Sequence, residues 1–324
     1  TIENDGDGAY GTRGYSEKLF ANPVNDPQYD IHDDARYGFT LSIEDTILAT
    51  SAPHAHVTLS GQNKILYAGV VVIHVRVNGV WIKDATICSP TPVHGGHFGE
   101  AVALDSKIYS VKLSTSQNSV QRKLPIVAVS APGQAKVYIF QRYGVLSNGK
   151  GDWRLETNGT LSHPEASQPG HLFGGENALD IFANFVAVGA RGCERVFLFR
   201  RSNVSLNNSM VTGGWEIFQV LQSSQYTQRT LIDDSLAVVN FDAHRLKHPP
   251  PFSKQSVVYI TPAEFGASVA LEDDTLIVGS PSGGYQGELN LNEDATWDQD
   301  IHYHGTGTVF VFGWIPDLKG SSID

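Results

Sequence analysis

The sequence predicts an all-β fold: a five-bladed β-propeller with about four strands in each blade. Three observations carry this reading. An aromatic-glycine pair recurs in phase with a short apolar run. A second apolar run follows it and ends in small residues. Further β-branched or aromatic runs come next, the last of them carrying tryptophan.

The first element is nearly superimposable in three copies: Phe98-Gly99-Glu100-Ala101-Val102-Ala103-Leu104-Asp105, Phe173-Gly174-Gly175-Glu176-Asn177-Ala178-Leu179-Asp180, and Phe265-Gly266-Ala267-Ser268-Val269-Ala270-Leu271-Glu272. Tyr37-Gly38-Phe39-Thr40-Leu41-Ser42-Ile43-Glu44 is a fourth. The second element reads Leu48 to Pro53, Val127 to Pro132, Val186 to Ala190 and Ile277 to Pro281. The third is Val70 to Val77, Val137 to Phe140, Val196 to Phe199 and Val309 to Phe312, and the fourth is Trp81-Ile82, Trp153-Arg154-Leu155 and Trp215 to Phe218. All are short, β-branched or aromatic, and bounded by Gly, Asp, Asn or Pro, which marks them as strands joined by tight turns. Small residues admit close approach where strands crowd, and the Phe or Tyr before each Gly fills the layer between neighbouring blades. These residues are read as scaffold.

Leu231 to Val239 is a weaker copy of the first hairpin, without the Phe-Gly pair, and Ser256 to Ile260 is expected to be the outer strand of the same blade. The prolines at 249–251 exclude a central strand there. The domain map is thus a flexible acidic N-terminus at 1–14, one propeller over 15–316 with repeats beginning near 37, 98, 173, 227 and 265, and a tail at 317–324. The last copy has three strands, and the stray run Tyr15 to Phe20 is expected to complete it and close the ring. The alternative is an incomplete or cropped seven-bladed ring. Thr1 in place of Met points to a processed or trimmed chain.

This pattern resembles the FG-GAP repeat of integrin α-subunit heads and related extracellular propellers. The resemblance rests on Phe98-Gly99 with Ser130-Ala131-Pro132, Phe173-Gly174 with Val188-Gly189-Ala190, Phe265-Gly266 with Gly279-Ser280-Pro281, and Tyr37-Gly38 with Ser51-Ala52-Pro53. It implies an extracellular scaffold, and repeats resembling these also occur in lectins and in non-catalytic parts of enzymes. Calcium binding of the integrin kind does not carry over. Ser130 to Lys136 and Ala190 to Glu194 lack the alternating oxygen ligands a calcium loop needs, and Asn4-Asp5-Gly6-Asp7-Gly8 falls outside any blade.

The 324 residues carry 34 acidic and 23 basic side chains, a formal charge of -11, with no cluster of Lys or Arg. Nucleic acid is therefore not expected as a partner, because phosphate neutralisation needs clustered cations. No stretch approaches the length of a membrane-spanning helix. Asn158, Asn203 and Asn207 each open an N-glycosylation acceptor pattern, which favours a secreted or cell-surface glycoprotein. Cys88 and Cys193 fall in different repeats and are read as free thiols.

Blade connectivity puts the links between blades and the hairpins between second and third strands on one face. That face receives three long insertions, Ala55 to Ala68, Asp242 to Pro251 and Ser282 to Gly305, and nine of the 12 histidines: His32, His54, His56, His94, His97, His163, His171, His302 and His304. His74 falls in a strand, and His244 and His248 are unassigned. Two clusters stand out as ligand-binding candidates. One is His94-Gly95-Gly96-His97, in a glycine-rich link. The other is Trp297-Asp298-Gln299-Asp300-Ile301-His302-Tyr303-His304. There Trp297 and Tyr303 could stack on a sugar ring, and Asp298 and Asp300 could accept its hydroxyl hydrogen bonds. Asp298, Asp300, His302 and His304 are also the candidate ligands of a divalent metal ion, the one cofactor considered. The leading expectation is a binding propeller that recognises a glycan or an extracellular protein. Its alternatives are a carbohydrate-active enzyme, a polysaccharide lyase or glycoside hydrolase using His97, Asp298, His302 and Tyr303 at the channel mouth, and a structural subunit of a larger complex.

Overall fold

The computed structural model describes residues 28–61, 63–106, 108–112, 119–123, 125–207, 210–222, 228–232, 238–240, 256–259, 264–272, 275–281 and 308–313, together with Leu19. The strands in chain order are β1 (Tyr29–Asp30), β2 (Leu41–Glu44), β3 (Ile47–Ala52), β4 (His56–Thr58), β5 (Lys64–Ile65), β6 (Val70–Val77) and β7 (Val80–Ile87). β8 (Val102–Asp105), β9 (Ile108–Lys112), β10 (Ser119–Lys123), β11 (Ile126–Ala131), β12 (Lys136–Val145) and β13 (Gly151–Leu161) follow. The remainder are β14 (Leu179–Phe182), β15 (Phe185–Ala190), β16 (Arg195–Asn207), β17 (Met210–Gln222), β18 (Gln228–Ile232), β19 (Val238–Asn240), β20 (Ser256–Tyr259), β21 (Ser268–Glu272), β22 (Thr275–Ser280) and β23 (Thr308–Gly313). The fold is all-β, and no helix of the described residues is long and apolar enough to cross a membrane.

Four antiparallel sheets repeat one plan. β2-β3-β6-β7 is the first, β8-β11-β12-β13 the second, β14-β15-β16-β17 the third, and β21-β22-β23 the fourth. Each aromatic-glycine copy leads into the first strand, each small-residue run is the second strand, and Trp81, Trp153 and Trp215 lie on fourth strands, as the sequence predicts. The copies share one hydrogen bond as well. The amides of Gly38, Gly99, Gly174 and Gly266 donate to the carbonyls of Ser51, Ser130, Gly189 and Gly279, at 2.9, 2.8, 2.8 and 3.1 Å.

Consecutive sheets pack face to face. Ala49, Val71 and Ile73 of the first lie against Val127, Val129, Tyr138 and Phe140 of the second. Ala128, Val137 and Ile139 of the second lie against Val186, Val188, Phe197 and Phe199 of the third. Ala187, Val196 and Leu198 of the third lie against Leu271, Leu276 and Val278 of the fourth. Phe98, Phe173 and Phe265 are fully buried between sheets, each side chain contributing about 1.5–3 kcal/mol of burial free energy. Leu41, Val102, Leu179 and Val269, one from each first strand, line a single cleft of about 360 Å³ with Glu176 and Asn177. This arrangement of sheets is consistent with a propeller-like all-β fold.

Charged clamps tie neighbours together. The Asp84 carboxylate on β7 accepts from Arg142 Nε and Nη2 of the second sheet at 3.0 and 2.9 Å, and from Trp153 Nε1 at 2.9 Å. One sheet on, Glu156 on β13 accepts from Arg201 at 2.7 Å and from Trp215 Nε1 at 2.8 Å. Asp84 sits in a one-residue bulge opposite the Ile73–His74 step of β6, and Glu156 opens a longer irregularity over 156–159 opposite the Tyr138–Phe140 step of β12. A bulge re-aims a side chain out of the ladder. Here it aims the carboxylate at the next sheet.

The structure differs from expectation in two places. β9 and β10 form an extra hairpin between the first and second strands of the second sheet, which the repeat pattern did not show. The weak copy forms a separate three-stranded sheet in the order β19-β18-β20, with Ser256 to Tyr259 paired to β18 instead of to a third strand. It does not stand between the third and fourth main sheets, which touch each other directly: Leu271 N donates to Asp180 Oδ2 at 2.7 Å. The physical reason is its missing aromatic-glycine pair. In every main sheet after the first, that glycine is what seats on the preceding neighbour. The strand expected over 15–20 lies outside the described residues.

Candidate functional site

The insertion 55–68 folds back rather than projecting as a loop. β4 pairs with β1 and with β5, so a small three-stranded sheet caps one end of the first blade-like sheet. Val57 on β4 is fully buried with Ala35, Ala52, Ala55, Ala68 and Val70, which gives this cap an apolar base of its own. The Asp30–Lys64 ion pair (2.7 Å) ties its two edge strands together, and the Lys64 hydrogen bond holds the Asp30 carboxyl below its ordinary pKa.

Five histidines meet on this cap. His32 and His56 have ring centroids 4.2 Å apart, and His54 and His97 5.0 Å apart. Tyr67 makes edge-on contact with both pairs, at 5.5 Å from His54 and 5.3 Å from His56. His94 joins through the backbone: its Nδ1 accepts from Leu66 N at 3.0 Å. The His56 Nδ1 accepts from Tyr67 N at 3.1 Å, and the His32 Nδ1 accepts from Asp34 N at 3.2 Å, where it caps the 3-10 turn Asp33–Ala35. Those acceptor roles fix the neutral tautomers, with the proton on Nε2. The His32 Nε2 is buried and meets no hydrogen-bond partner among the described residues.

His97 is held by strain and by a specific contact. Its backbone adopts φ 51°, a left-handed conformation that a non-glycine residue enters only when its surroundings impose it. Its amide donates to the Tyr67 carbonyl at 3.1 Å, so the same loop positions both rings. Burial holds the imidazoles of His54, His56 and His97 below their ordinary pKa, with Arg36 adding to the effect at His54 and His97, and His32 at His56. Arg36 is exposed at φ 57° in the link that precedes the first sheet. Glu100, three residues beyond His97, is pushed up by burial and by Glu176 of the next link.

At neutral pH burial keeps the His54, His56 and His97 imidazoles uncharged, beside the Tyr67 phenol and the Arg36 guanidinium. On acidification their protonation adds positive charge next to Arg36, against the Asp30, Asp33 and Asp34 carboxylates of the same cap. That chemistry suits an anionic or polyhydroxylated ligand, to which the rings donate hydrogen bonds and Tyr67 supplies an aromatic face. Among the described residues, no group of three or more His, Cys, Asp or Glu side chains is placed to hold a metal ion.

Of the residues singled out from sequence, His94 and His97 come together here. His32, His54 and His56 were assigned to the same face but not to a site. Their signal lay in the insertion that carries His54 and His56 between two strands. His163 and His171 lie apart from the cluster. His163 caps the turn Pro164–Ala166 and packs on Phe197 at 4.6 Å, a structural role. Trp297, Asp298, Asp300, His302, Tyr303 and His304 lie outside the described residues, and so does Asn4 to Gly8. Asn158 is exposed on β13, open to modification, and both Cys88 and Cys193 are free. No protein-family model matches the chain, and no curated protein matches it.

Proposed function

We propose that the chain is a secreted or cell-surface binding propeller of the FG-GAP type, which recognises an anionic glycan through the histidine-rich loops of one face. The carrying observation is a ring cluster beside Arg36 in which Tyr67 contacts His54 and His56, and these in turn contact His97 and His32. Scattered surface histidines would not pair ring to ring about one aromatic side chain. An exposed Asn158 acceptor and free, unbridged cysteines leave the extracellular assignment resting on the glycosylation pattern.

The test is a panel of immobilised glycans, anionic and neutral, measured against the wild type and His54→Gln, His97→Gln and Arg36→Gln variants. Saturable binding of the anionic members, weakened about 10-fold or more by loss of one charged hydrogen bond, is the expected result. Binding that is absent from every glycan, or indifferent to all three substitutions, would overturn it.

A further inference from the structure

The face that each sheet presents to its successor is the same throughout. The register aligns Ala49, Val71 and Ile73 with Ala128, Val137 and Ile139, then with Ala187, Val196 and Leu198, and finally with Ile277, Val309 and Val311. The first nine of these residues are all 0% exposed. In the fourth sheet the same positions stand open: Ile277 is 39% exposed, and Val309 and Val311 are each 67% exposed. Large apolar side chains are thus held at blade-packing positions with no sheet of the described residues upon them, and a contiguous apolar face of this kind marks an interaction surface.

The opposite end of the array shows the complementary vacancy. Leu41 and Ile43 are 63% exposed, whereas their counterparts Val102, Leu104, Leu179, Ile181 and Leu271 are buried against the preceding sheet. The glycines agree. A Cβ on Gly99 would lie 2.9 Å from the Ser51 Cβ of the preceding sheet, and one on Gly174 would lie 2.7 Å from the Ser130 Cβ. Gly38 has the same left-handed backbone, φ 90°, and the same hydrogen bond to its own sheet, yet no described residue lies within 4 Å of its Cβ position. Its seat would be Gly279, which occupies the register position of Ser51, Ser130 and Gly189. Glu272 likewise occupies the position from which Glu44 accepts from Ser106 Oγ and Asp105 accepts from Ala183 N in the next sheet.

We infer that the fourth sheet of one chain docks on the first sheet of a second copy, head to tail, through the same packing that joins consecutive sheets within the chain. One face supplies Ile277, Val309, Val311 and Gly279; the other supplies Leu41, Ile43 and Gly38. Each chain carries both halves, so the interface is heterologous, and two copies that satisfy both halves at once close into one ring. Nothing in this inference depends on the ligand of the histidine cap.

The experiment is a mass measurement by light scattering and sedimentation over a range of chain concentrations. Wild type should show twice the chain mass. Val309→Asp with Val311→Asp, and separately Leu41→Asp with Ile43→Asp, should each give monomers. An equimolar mixture of the two variants should regain a dimer, because each retains the half that the other lacks. If the aspartate variants lose their circular dichroism, a Val311→Cys chain and an Ile43→Cys chain carrying different tags are mixed and treated with a short bis-maleimide. A cross-linked product bearing both tags, above the background from the native thiols, is expected. A wild-type monomer at every concentration would overturn the inference, meaning that the chain's own segments cover the faces. So would a dimer unaffected by either substitution pair, a mixture that stays monomeric, or no mixed cross-link.

Discussion

Glu156 on the second sheet and Arg201 on the third form an ion pair at 2.7 Å, with side chains only 2% and 0% exposed. The Trp215 indole N–H completes the shell of the carboxylate at 2.8 Å. Charges so deeply buried persist only when paired, and removing one partner leaves the other stranded in a low dielectric. Glu156→Gln is therefore expected to lower the unfolding free energy by about 3–5 kcal/mol. Replacing both residues with apolar ones of similar size should cost much less. Urea unfolding of the single and double variants reads the difference; equal losses would show that the pair is not acting as a unit.

Asp84 and Arg142 repeat the arrangement one sheet earlier, but the Arg142 side chain is 21% exposed. Water can reach the guanidinium, so its isolation after Asp84→Asn is incomplete, and the Trp153 bond can be kept by the amide oxygen. The expected loss is about 1.5–3 kcal/mol, smaller than at Glu156. A loss at Asp84 equal to or above that at Glu156, by the same urea titration, would contradict the ranking by burial.

Gly99 and Gly38 separate backbone strain from steric conflict. Both have φ near +90°, so alanine at either position costs about 1–2 kcal/mol for its left-handed backbone alone. At Gly99 the new methyl also meets Ser51 Cβ, which adds about 1–3 kcal/mol of overpacking. At Gly38 no described residue of the same chain opposes it. Thermal melts of Gly99→Ala should thus fall further than those of Gly38→Ala. Equal shifts would place Gly38 against a neighbour, in its own chain or in a docked second copy.

Much of this was legible in the sequence because the scaffold repeats itself. Phe98, Phe173 and Phe265, each followed by glycine and a period-2 run, fix sheet after sheet with little help from distant residues. The weak copy at 228–259 pairs as a separate three-stranded sheet, and it lacks the glycine that seats each later main sheet on its neighbour. The clamps were half visible: Trp81 to Asp84 and Trp153 to Glu156 share a spacing of three, which is a local signal. Their arginines are 58 and 45 residues away, and only the packing of adjacent sheets brings them in. The histidine cap is harder still. Topology assigns its members to one face, but the grouping depends on β4 folding back onto β1, and Tyr67, the ring that joins His54 to His56, gave no sequence signal.

The histidine cap should make stability depend on pH. His54, His56 and His97 have folded-state pKa values below the unfolded value, chiefly through burial. The unfolded chain therefore binds more protons than the folded one as pH falls below about 6.5. Stability is complete above that pH and is lost progressively as the pH drops through the lower folded-state values. The facing charges are mixed. Arg36 and His32 reinforce the depression at His54, and Lys64 does so at His56, where Asp30 opposes it. Melting temperature should decline between about pH 7 and 5, and the decline should be shallower in His54→Gln and His97→Gln. An anionic ligand reverses the sign of the effect on binding, because it favours the imidazolium forms, so affinity should rise over the same interval and fall with added salt. A melting profile that is flat from pH 7 to 5 in the free protein would show that these imidazoles take up protons as easily folded as unfolded, and would remove the basis for acid-strengthened binding at the cap.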